Sequence, residues 1–124
     1  MTLNRVIKSI SRPASGDLSG EQYRLVGVDG DGCAVVIANQ ATPFLGVLMN
    51  KPSATDQVAE VAVAGATVKV EAGATIAEGN LITAETGGRG SPALAGDYYI
   101  GMALTPGGSG VLCEVNIVPG QLET

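Results

Sequence analysis

Apolar residues in this chain come in short runs, each broken by glycine, proline, asparagine or aspartate. Thr67-Val68-Lys69-Val70-Glu71 alternates cleanly, with Val68 and Val70 on one face, the period of a half-buried strand. Residues 58–63 alternate more loosely. Residues 33–38 are continuously apolar, as in a strand covered on both faces. Further strands are expected at 23–28, 44–49, 81–84, 98–104 and 111–118. Asp29-Gly30-Asp31-Gly32 sits between two such runs, and Asp-Gly there predicts a tight hairpin, because its turn needs positive φ. Residues 86–97 read as a loop. Gly46 and Gly101 each interrupt a strand, which points to a bulge or a close backbone approach.

The pattern occurs twice. Asp17 to Tyr23, Asp29 to Gly32, Phe44 to Leu48 and Glu60 to Val63 recur as Thr75 to Leu81, Thr86 to Gly90, Tyr99 to Ala103 and Glu114 to Ile117. The expected fold is all-β, a compact small barrel or sandwich built from two pseudo-repeated strand-turn units at about 17–65 and 73–118. Residues 1–16 precede the first unit. Leu3, Val6, Ile7 and Ile10 would suit a helix face or an extended segment laid on a partner. Pro13-Ala14-Ser15-Gly16 reads as a stop and a flexible joint. The expectation is an N-terminal arm over 1–16, separate from a β domain over 17–124.

Charge supports that division. The net charge is −5, yet residues 1–12 carry Arg5, Lys8 and Arg12 and no acid. A basic arm on an acidic body suits an acidic partner or a solvated tail. The acidic balance argues against a nucleic-acid partner. No apolar run is long enough for a membrane-spanning helix, and no signal peptide is visible, so the chain is expected to be soluble and made in a cytoplasm. Aromatics make up only 3% of the chain. Each buried position therefore contributes little area, and assembly into an oligomer is a plausible source of more.

The chain has no histidine, which removes His-based triads and zinc sites. Asp29-Gly30-Asp31-Gly32 lacks the later ligands of a calcium loop. Gly87-Gly88-Arg89-Gly90 is followed by no Lys-Ser/Thr pair for a phosphate. Glu60 and Glu114 recur through the duplication and read as outward-facing strand residues. Cys33 and Cys113 read as two small buried hydrophobes, with pairing left open. No catalytic constellation and no cofactor site is expected.

Ala14 to Arg24, Gly46 to Pro52, Val63 to Gly73, Ala95 to Tyr98 and Ile100 to Ala103, in that order and spacing, resemble the capsid cement, or head decoration, proteins of tailed bacteriophages. The match covers most of residues 14–118. The resemblance implies a homotrimer on the outer surface of an expanded phage head, bound to the major capsid protein and stabilising contacts between capsomers. It implies a virion location after assembly in the host bacterial cytoplasm. It also gives the arm a role in binding the capsid, through Thr2, Leu3, Asn4, Arg5, Val6, Ile7, Lys8, Ile10 and Arg12. The alternative is a small β-barrel module that recognises carbohydrate or peptide through loop aromatics, for which Phe44, Tyr98 and Tyr99 are the candidates.

Overall fold

The computed structural model describes residues 9–123. They form β1 (Ser9–Pro13), β2 (Leu25–Val28), β3 (Ala34–Val36), β4 (Gly46–Leu48), β5 (Val58–Ala62), β6 (Thr67–Glu71), β7 (Leu81–Ala84), β8 (Gly90–Pro92), β9 (Tyr98–Ala103) and β10 (Leu112–Gln121), with one 3-10 turn at Thr86–Gly88. The strands make two five-stranded antiparallel sheets, ordered β1-β5-β4-β2-β3 and β6-β10-β9-β7-β8. The all-β, sandwich-like architecture expected from the sequence is the one the chain adopts.

The two strand orders are one order written twice. Val26 faces Gly46 as Ile82 faces Gly101. Ala14 bridges Ala34 in parallel as Ala72 bridges Gly90, so the two outer strands of each sheet meet and each sheet is curled. The Tyr23 N–H donates to the Leu48 carbonyl at 2.7 Å, as the Gly79 N–H donates to the Ala103 carbonyl at 2.8 Å. This register sets Gly79 in the place of Tyr23.

The duplication also starts earlier than residue 17. β1 is the counterpart of β6 and pairs with β5 from Ser9↔Ala62 to Pro13↔Val58. Pro13 ends an edge strand, where its missing N–H leaves no ladder bond unmade. Ala14 is fully buried, and its N–H donates to the Gln57 carbonyl at 2.8 Å. The Ser15 N–H donates to the Ala34 carbonyl at 3.0 Å. The flexible joint expected after Pro13 is therefore absent, and residues 9–16 belong to the body. The rest of the expected arm, residues 1–8, lies outside the described residues.

Gly46 and Gly101 show why a strand glycine recurs. A Cβ on Gly46 would run into the carbonyl oxygen of Ala62, and one on Gly101 into that of Asn116. At both places β4 or β9 passes so close to β5 or β10 that only a hydrogen fits.

Strand alternation gives each sheet two faces. Val26, Leu48, Ala59 and Val61 point to one face of the first sheet and pack with Ala14, Leu18 and Ala34. We call this the inner face. Leu25, Val47 and Ala62 point the other way, and with Ile37 and Phe44 they share a larger core with Val68, Val70, Ala84, Ile100 and Ile117 of the second half. Val68 and Val70 lie opposite Val115 and Cys113, so they belong to the inner face of the second sheet. The outer face of the first half thus packs on the inner face of the second.

Candidate interaction surface

β1 is the edge of the first sheet. Its side away from β5 presents main-chain N–H and C=O groups that no strand among the described residues pairs, the usual template for an added strand. Thr2, Leu3, Asn4, Arg5, Val6, Ile7 and Lys8, seven of the candidate arm residues, lie outside the described residues. The other two, Ile10 and Arg12, lie on β1 within the body. Arg12 is half-buried, and its Nε donates to the Gly32 carbonyl at 2.9 Å, tying it to the β2–β3 turn. Ile10 lies opposite Val61 on the inner face, yet remains exposed.

The remaining sequence candidates take structural places. Asp29 Oδ1 accepts from the Asp31 and Cys33 N–H groups, both at 2.9 Å, so that carboxylate organises a turn. No group of three potential metal ligands occurs among the described residues. Glu60 Oε1 accepts from the Ser11 hydroxyl at 2.9 Å, and Glu114 lies opposite Lys69. They hold equivalent outer-face positions on β5 and β10. Cys33 is half-buried and Cys113 buried, both as free thiols. Burial pushes both thiols up from the ordinary range, and the Asp29 charge adds to this at Cys33, so neither has the thiolate character a reactive cysteine needs. Phe44 is buried, and Tyr98 and Tyr99 are half-buried on β9. They form no exposed loop cluster for a sugar or peptide.

One polar cluster was not foreseen from the sequence. Arg24 reaches across the two halves: its Nη1 donates to Glu21 Oε2 at 2.9 Å and to the Gly87 carbonyl at 3.2 Å. Its Nη2 lies 3.5 Å from Glu71 Oε2, which Arg89 Nε approaches at 2.9 Å. The Glu71 N–H donates to the Tyr23 carbonyl at 2.9 Å. The glycine-rich loop at 87–90 is thus half of a clamp between the two units. Its positive-φ residues Gly87 and Gly88 let the backbone turn against Arg24. A contact between residues this far apart in sequence leaves no local signal.

No family model matches this sequence, and no curated protein matches it. Among solved structures the fold is similar to the crystal structure of the head fiber gp8.5 N base in bacteriophage phi29, with a TM-score of 0.71 and 21% identity. The likeness covers 96% of this chain and 100% of that one. The duplicated sandwich is therefore a fold already seen in that base.

Proposed function

We propose that this chain is a structural protein of a phage head. In this reading it is a homotrimeric decoration protein that binds the major capsid protein on the outer surface of the expanded shell and holds neighbouring capsomers together. The observation that carries the reading is the end-to-end fold likeness to a head fiber base, which leaves almost nothing of either chain unmatched. The motif resemblance to cement proteins supports it independently of that structure. The protein would be made in the bacterial cytoplasm and carried on the virion. The reading assigns it no reaction, no cofactor, no nucleic acid and no membrane.

In this reading the anchor is residues 2–8. Residues 2–8 lead directly into the open edge of β1, and an extended segment there can add a strand to an edge of the shell protein. Such pairing rests on main-chain hydrogen bonds and needs few particular side chains. Leu3, Val6 and Ile7 supply apolar contacts, and Arg5 and Lys8 supply positive charge. Ile10 and Arg12 leave the anchor, because both are built into the body. Many copies on one shell make individually weak contacts collectively strong.

A deletion tests this, and it must stop at residue 8, since removing β1 would strip β5 of one of its two partners. The variant lacking residues 2–8 is expected to fold as the full chain does, judged by circular dichroism and melting. It is expected to lose protection of stripped, expanded shells against heat. Full protection by the shortened chain would overturn the anchor assignment. Absence of protection by the intact chain would overturn the cement reading itself.

A further inference from the structure

The internal duplication leaves exposed, at each end of the molecule, apolar positions whose counterparts are buried in its middle. In the middle, the outer face of the first half packs on the inner face of the second. The junction residues on the strands have counterparts fixed by strand register. Those counterparts lie on the inner face of the first half and the outer face of the second; Val26, Leu48, Ala59 and Val61 are buried in the first half's own core, but Ile10, Val28, Met102 and Leu104 stay exposed.

The exposures show it position by position. Val68 is 7% exposed and Ala84 0%, but their counterparts on the first half, Ile10 and Val28, are 39% and 48% exposed. Val47 is 0% exposed, but its counterpart on the second half, Met102, is 45% exposed. Met49 packs against the shared core, whereas its counterpart Leu104 is exposed. Met102 lies on β9 and Leu104 just beyond its end, two apart and on one face. The chain keeps apolar side chains at these positions without burying them. Surface leucine or valine is ordinary when scattered. These residues are not scattered, since each occupies a place that is a junction contact in the other half.

We infer that a second copy of this chain covers both faces, with Ile10 and Val28 of one copy seated on the Met102–Leu104 face of the next, in the arrangement the two halves already adopt within one chain. The contact is head-to-tail. Such a contact either closes into a ring or runs on as a filament. Closure at three copies gives a ring of six similar β units, with three junctions inside chains and three between them. The inference specifies the trimer face within the proposed function and rests on that reading only for the number three. Its test uses isolated protein without shells, so a failed interface and a failed shell assay are told apart.

Two variants are needed. Met102→Glu breaks one side of the junction, and Ile10→Glu with Val28→Glu breaks the other. Both change exposed positions, and circular dichroism and melting check that each variant folds. Sedimentation velocity should show the unaltered chain as a trimer and each variant alone as a monomer. The assembly midpoint is expected to rise by about a hundredfold or more, as for an unpaired charge buried in an interface. Mixing the two variants should then give a one-to-one complex at high concentration, because one intact junction can still form between them. A face-to-face dimer of like surfaces would not do this. An unaltered chain that stays monomeric or forms open filaments, variants that remain trimers, or a mixture that forms no complex would each overturn the proposal.

Discussion

The two halves share strand order, register and even the positions of their tightest backbone contacts, but they solve the same local problems with different residues. Where the second half turns through positive φ with Gly79 and Gly110, the first half uses Tyr23 at φ 68 and Asp56 at φ 69. The carbonyls and N–H groups around these turns are bonded alike: the Gln57 N–H donates to the Ala54 carbonyl as the Val111 N–H donates to the Gly108 carbonyl. Backbone geometry therefore belongs to the repeated unit, and side chains adjust to what each copy faces. In the centre the two units meet through apolar residues and the Arg24 clamp. At the ends four of the corresponding positions, Ile10, Val28, Met102 and Leu104, stay open. The comparison teaches that exposure at these four positions follows place in the stack and not residue type.

Breaking the shared geometry should have the largest effect. Gly46→Ala and Gly101→Ala each place a methyl group on a neighbouring carbonyl oxygen. Each should cost about 3 kcal/mol or more, read as a lowered midpoint in urea. Near-equal losses at the two sites would confirm their equivalence, and a tolerated alanine at either would break it.

Arg24 tests the junction between halves. Its side chain is 19% exposed and bonds to Glu21, Glu71 and the Gly87 carbonyl. Arg24→Ala should cost about 1–2 kcal/mol in the same assay, after allowance for partial solvent screening. A smaller loss would mean that the apolar core alone holds the halves together.

The turn residues sharpen the comparison further. Gly110→Ala should cost about 1 kcal/mol, because alanine is strained at φ 84. Asp56→Gly, the reverse exchange, should stabilise by about 0.5 kcal/mol, the relief of left-handed strain less the added freedom of the unfolded chain. Thermal melts resolve both, and a destabilised Asp56→Gly would show that the aspartate makes a contact its position does not reveal.

The smallest expected effect is electrostatic. Asp17 Oδ1 accepts from the Ser19 hydroxyl at 2.7 Å and the Ser19 N–H at 3.0 Å. Those bonds, the hydroxyl first, hold the carboxyl below its ordinary range. A carboxylate depressed in the folded state contributes stability above its unfolded pKa and loses it as pH falls through the folded value. Asp17→Ala should therefore lower the melting temperature slightly at pH 7 and leave it nearly unchanged near pH 2. Its counterpart Thr75 carries no carboxyl, so Thr75→Ala should show no such pH dependence.

Much of the fold was legible because it depends on local signals. The hairpin at 29–32, with Gly32 at φ 79, the clean alternation at 67–71 and the paired strand glycines Gly46 and Gly101 each carry a physical requirement visible in a few residues. β1 was hidden because Pro13 marks a chain break as readily as an edge-strand end, and only the pairing with β5 decides between them. Tyr23 and Asp56 were hidden because nothing in their side chains announces positive φ. The Arg24–Glu71–Arg89 cluster joins separate turns, so it exists only once the sheets are stacked. The open faces were unreadable for a related reason: Val47 and Met102 are equally apolar, and only the stacking buries one and exposes the other.

The most direct test of the central claim is binding of the purified chain to expanded phage shells stripped of their decoration, followed by co-sedimentation with mass per particle measured. The account predicts saturable binding near three copies per local three-fold site, with bound shells surviving heat that disrupts bare ones. Expanded shells that take up none of the protein, at concentrations where it is assembled, would contradict it.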